Sequence, residues 1–195
     1  MKTHRTATLV AAGILALLAA CQTTTQAAPA PTNTTSTPTP GACHAGTDSG
    51  QPLPDPHCTP GALNPAVTQQ DIGATICNPG WASRIRPPES YTEPIKRTSI
   101  RQYGFTDTHL ADYELDHRVP LSSGGDPRSR MNLWPQGYEH TSTSPAKYGS
   151  ESKDRIEDYV HRSICSGKLS LAAGQSVFLG NWWTWRTNNM PRSVW

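Results

Sequence analysis

Glu114-Leu115-Asp116-His117-Arg118-Val119-Pro120-Leu121, continued by Ser122-Ser123-Gly124-Gly125 and then by Asn132-Leu133-Trp134-Pro135, is the stretch that decides how this chain reads. Tyr113 to Leu121 alternates loosely and carries Leu115, Val119 and Leu121, which suits a strand. Ser122 to Pro127 is rich in glycine and turn formers and reads as a loop. An acid directly before a histidine near a strand end supplies two adjacent polar groups with different tasks. The Asp116 carboxylate can bind a hard cation such as Mg²⁺, which prefers oxygen ligands. The His117 imidazole, with an ordinary pKa near ~6.5, can take a proton from water at neutral pH. The glycines let the chain reverse, and the Asn132 amide can hold the loop backbone or the imidazole ring in place.

The flanks are mostly helical. Glu151 to Cys165 places Ile156, Tyr159, Val160 and Ile164 on one apolar stripe, with Ser150 or Ser152 available to cap its start and Ser166-Gly167 to end it. Leu171 to Trp185 reads as a last helix capped by Ser170, burying some of Val177, Phe178, Leu179, Trp182 and Trp183. Upstream, Asn64-Pro65 opens a short helix over Ala66 to Ile72. Trp81 to Pro88 is irregular or a short strand, and Thr92 to Tyr103 is a helix closed by Gly104. The expected class is therefore α+β.

The 195 residues hold 18 Pro and 15 Gly, and only 35 % are hydrophobic. A formal charge of +2 excludes a strongly basic coat protein or an acidic tail. Past residue 21 no apolar stretch reaches the ~18 positions of a membrane span, which excludes a multi-pass protein. Lys2, His4 and Arg5 followed by the apolar run Thr6 to Ala20 form a secretory signal, residues 1–20. Leu18-Ala19-Ala20-Cys21 resembles the bacterial lipobox, so Cys21 is expected to carry lipid and to tie an exported domain to the outer face of a membrane. Residues 21–51 read as a Thr/Pro-rich flexible tether, and 52–195 as the folded domain. Cleavage would remove Lys2 and Arg5 but no acid, and from Arg84 onward 15 bases face 12 acids. Cys43, Cys58, Cys77 and Cys165 suggest two disulfides with three possible pairings. Cys43–Cys58 with Cys77–Cys165 is favoured over a zinc site, whose C-x-x-C pair is missing.

Asp-His-x-x-Pro-Leu-x-x-Gly-Gly with a following Asn-Leu resembles the HNH endonucleases of the ββα-metal (His-Me finger) fold. More narrowly, the chain is similar to exported bacterial proteins in which Glu-x-Asp-His-x-x-Pro-Leu-x-x-Gly-Gly is followed by Asn-Leu-Trp-Pro, a Lys-Asp-x-x-Glu helix and a cysteine. The corresponding residues are Lys153-Asp154-Arg155-Ile156-Glu157 and Cys165. The resemblance spans roughly residues 55 to 185 and implies a small ββα-metal motif packed with additional, disulfide-stabilised helices. It implies His117 as general base, Asn132 as the middle residue orienting loop and base, and Asp116 as ligand to one divalent ion. That ion is expected to be Mg²⁺ ahead of Mn²⁺ or Zn²⁺, stabilising charge on the phosphate and the leaving 3′-oxygen. The second ligand departs from the family pattern. His140 is the first choice, and Asp154, Glu157 and His161 are alternatives. The implied protein is a monomer that hydrolyses nucleic acid, DNA ahead of RNA. Arg84, Arg86, Lys96, Arg97, Arg101, Arg118, Arg128 and Arg130 are equally phosphate contacts or ordinary surface charges. The alternative is a non-catalytic cell-surface module binding cell wall or a protein partner, for which Trp182, Trp183 and Trp185 would serve as an aromatic platform.

Overall fold

A computed structural model describes residues 39–139 and 147–194, which belong to one compact unit. The signal segment, Cys21, the tether up to residue 38 and His140 lie outside the described residues. The fold is mixed α+β with two small two-stranded sheets and two disulfides.

The first sheet is a hairpin of β1 (Gly46–Asp48) and β2 (Gln51–Leu53). Its two-residue turn places Ser49 at φ 50 and Gly50 at φ 88, the positive pair that matches the right-handed strand twist. Gly41 and Cys43 already donate to the carbonyls of Arg101 and Gln102 at 3.0 Å each, and Cys43 is buried. The folded part therefore begins ahead of residue 52, inside the segment expected to be tether, because the Cys43–Cys58 bond draws that segment onto the body. The second disulfide joins Cys77 to Cys165, so both bonds follow the favoured pairing. Such bonds persist in oxidising compartments. No helix among the described residues is long and apolar enough to cross a membrane.

No helix forms over 66–72. Val67 bonds back to Asn64, Asp71 to Thr68 and Ala74 to Asp71, giving successive single turns. Asn64 accepts from the Ala66 amide, and the Thr68 hydroxyl donates to the Asp71 carboxylate, local bonds that suit single turns. Trp81–Ile85, expected irregular or extended, is instead a short helix, α1, entered from Gly80 in the left-handed region. Helix α2 (Glu89–Gln102) begins three residues before the expected Thr92, immediately after Pro88.

Strand β3 (Tyr113–His117) pairs antiparallel with β4 (Leu133–Gly137), with Asp116 opposite Trp134 and His117 opposite Leu133. β3 stops four residues short of Leu121, because Asn132 turns the following backbone into a loop (described below). In that loop a Cβ at Gly125 would stand 1.8 Å from the Val119 carbonyl oxygen, which leaves no space for any side chain.

Helix α3 (Ser150–Cys165) buries Ile156, Val160 and Ile164 completely. Neither serine caps it. Ser152 donates to Glu139, whose amide in turn donates to Glu151 at 2.8 Å. The expected last helix is two: α4 (Leu171–Leu179), capped by Ser170, and α5 (Trp182–Asn189), capped by Asn181, which accepts from Trp183 and Thr184 at 3.0 Å each. The break at Gly180-Asn181 lets Phe178, Trp182 and Trp183 all reach the core beside Trp134 and Ile156.

Candidate active site

Asn132 is fully buried and all its amide capacity goes to backbone. Its Oδ1 accepts from Val119 at 2.8 Å and Ala62 at 3.4 Å, and its Nδ2 donates to the carbonyls of Val119 and Asp126 at 3.0 Å each. It fixes the loop that follows His117 and touches nothing in the adjoining cavity. Its role is positioning rather than direct chemistry.

The loop so held brings the Pro127 carbonyl 3.1 Å from Nε2 of His117. A carbonyl only accepts, so Nε2 carries the ring proton and Nδ1 keeps its lone pair. Burial lowers the imidazole pKa below its ordinary value, against the raising effects of Pro127 and Asp116. His117 is thus neutral at pH 7, with its basic lone pair on Nδ1.

His117 lines a half-open cavity of about 460 Å³ between β3 and α2. Glu114, Arg86, Lys96 and Tyr138 line it too. Burial first, then the charges of Asp116 and Asp154, raise the Glu114 carboxyl to about 7, against the pull of Lys153 and Arg86. The cavity therefore combines a neutral imidazole, a carboxyl that holds its proton near neutrality, and two cations suited to a phosphate.

Asp116 has a partner the motif did not announce. Lys153 Nζ lies 2.8 Å from Asp116 Oδ2, donates to the His117 carbonyl at 2.8 Å and pairs with Glu157 Oε1. The Lys153 side chain is 1 % exposed. Burial pulls its pKa down, but the carboxylates of Asp116 and Glu157 more than offset this, so it ends above the usual lysine value and stays charged. Burial likewise pushes the Glu157 carboxyl upward, against the pull of Lys153. The residues around Asp116 do not fit a divalent ion there. The carboxylate faces a buried ammonium at ion-pair distance, and a second cation beside it would be repelled.

The other expected residues scatter. Asp154 is exposed yet close enough to Asp116 to feel its charge. His161 bonds to the Ile76 carbonyl at 2.9 Å. One of its ring nitrogens and the sulfurs of Cys77 and Cys165 lie within 4.8 Å of one another, but both sulfurs are committed to the disulfide. Arg118 is buried and donates to the carbonyls of Thr59, Phe178 and Leu179, so it is a structural clamp and not a phosphate contact. Trp182 and Trp183 are core residues, and Trp185 is partly buried against the same core. The residues missed were Lys153 and Glu114. Both stood inside quoted motifs, and their signal was a charge at a position the fold would bury.

Among known proteins, no family model, no curated protein and no solved structure matches the chain.

Proposed function

We propose that this chain hydrolyses phosphodiester bonds in nucleic acid, with DNA as the first substrate to test. The observation that carries the reading is the His117 imidazole, held neutral in one tautomer at the wall of a cavity that also contains Arg86 and Lys96. In this reading Nδ1 of His117 takes a proton from water, and the resulting hydroxide attacks phosphorus. Arg86 and Lys96 hold the phosphate oxygens, and the P–O bond to the leaving oxygen breaks. Glu114 supplies the proton that the leaving oxygen requires. The order strand, strand, helix through β3, β4 and α3 supports the ββα resemblance. The assay is release of acid-soluble nucleotides from DNA and, in parallel, from RNA.

The pH dependence follows from two groups. His117 must be neutral, so kcat/KM falls as the pH drops through its value, which lies below 6.5. Glu114 must hold its proton, so kcat/KM also falls as the pH rises through about 7. The profile is a bell with its maximum slightly on the acid side of neutrality. Glu114→Gln lowers that maximum and removes the alkaline limb. A wild-type rate that keeps rising to about pH 9 removes Glu114 from the mechanism.

The exported setting is part of the proposal. Wild-type protein, expressed with its own first 20 residues in a bacterium, is expected in the membrane pellet, and Cys21→Ser in the soluble fraction. The same distribution for both would remove the lipid anchor.

A further inference from the structure

We infer that the Lys153 ammonium is the resident cation of this site and stands where the resemblance implies a divalent ion, with Asp116 as its counter-charge. The inference rests on the reading of His117 as the working base, and it concerns what holds that base in place. Three oxygens converge on Nζ: a carboxylate from β3, the carbonyl of His117 itself, and a carboxylate one turn along α3. Two carboxylates and a carbonyl form the oxygen set a hard cation prefers. The ammonium donates to the His117 carbonyl and to Glu157, and it forms an ion pair with Asp116.

The ammonium is not a transient occupant. The whole side chain is buried, and Nζ lies 5.5 Å from the ring centroids of Phe178 and Trp182, which close the site from α4 and α5. Its helix is anchored by the buried stripe Ile156, Val160 and Ile164 and by the Cys77–Cys165 bond. Leaving the pocket would abandon two carboxylates in the interior, each of which would then be unpaired.

The consequence for His117 is direct. Its ring is held by the Pro127 carbonyl and its own carbonyl by Lys153, so both ends of the residue are fixed. Lys153 is a positioning residue that supplies by covalent attachment the positive charge otherwise recruited from solution.

The test is Mn²⁺ binding to the disulfide-bonded protein, measured by calorimetry on wild type, Asp116→Asn and Lys153→Ala, with hydrolysis assayed in EDTA alongside. Losing even an outer partner of a metal ligand costs about 10–100-fold in affinity, so a true ligand at Asp116 would show. The expected result is the same Mn²⁺ isotherm for wild type and Asp116→Asn, and hydrolysis that survives EDTA. Lys153→Ala, if folded by circular dichroism, is expected to gain a Mn²⁺ site on the freed Asp116 and Glu157. A tenfold or greater loss of Mn²⁺ affinity in Asp116→Asn overturns the inference, as do hydrolysis abolished by EDTA and a folded Lys153→Ala that gains no site. If Lys153→Ala does not fold, the comparison of wild type with Asp116→Asn decides. If no protein hydrolyses nucleic acid under any condition, the proposed function fails while the Mn²⁺ comparison still decides the inference.

Discussion

His117→Ala is expected to lower kcat for nucleotide release from DNA by about 10²–10⁴-fold, the usual worth of a positioned general base. KM should move little, because in the proposed mechanism the phosphate is held by Arg86 and Lys96, which line the same cavity. The loss should not come from unfolding. The substitution removes one hydrogen bond, to Pro127, worth about 1 kcal/mol, together with the packing of a buried ring, so circular dichroism of the variant accompanies the assay. His117→Gln separates the two effects, since its amide can still donate to a carbonyl but has no basic nitrogen. Both variants should lose activity alike, and the Gln variant should keep the wild-type melting temperature. Equal rates for wild type and His117→Ala would remove His117 from the chemistry.

Replacing both Cys77 and Cys165 by Ser is expected to cost about 4–5 kcal/mol, because the bond closes an 88-residue loop and loop-closure entropy grows with the logarithm of length. The same treatment gives the 15-residue Cys43–Cys58 loop about 3 kcal/mol. Against the 5–15 kcal/mol that holds a typical domain, the larger figure is a substantial share, and at this size it lowers Tm by roughly 10–15 °C. The location makes the effect larger in practice. The segment between β2 and α1 is built of single turns, and it docks on α3 through this bond and the contact of His161 with the Ile76 carbonyl. Urea unfolding of the two double-serine variants checks the order. If the Cys43/Cys58 variant were the less stable, the claim that the long cross-link holds the turn segment to α3 would be wrong.

The legible parts of the fold were those whose causes lie within a few residues. Ile156, Val160 and Ile164 repeat at helical spacing, and α3 formed on them. Ser170 precedes a helix and caps it. The break between α4 and α5 went unread for a related reason. Gly180-Asn181 falls inside the expected single helix, but there Gly180 ends α4 and Asn181 caps α5, and Phe178, Trp182 and Trp183 all lie in the core. The failed helix over 66–72 shows the opposite case, in which the Asn64 side chain took the Ala66 amide and the amides of Val67 and Asp71 bonded back three residues.

Of the candidate site, the sequence by itself determined the acid-histidine pair at a strand end, the turn behind it and the asparagine that closes that turn. These are neighbours in the chain, and their geometry follows from strand alternation and backbone hydrogen bonding. Only the tertiary structure decided what the acid does. Lys153 lies 37 positions from Asp116 and reads in sequence as one more surface base on a helix. Burial turns it into an ammonium that must find oxygen, and the oxygens it finds are those of Asp116, His117 and Glu157. A charge's partner is set by where water is excluded, and that is a property of the packed core rather than of any local motif.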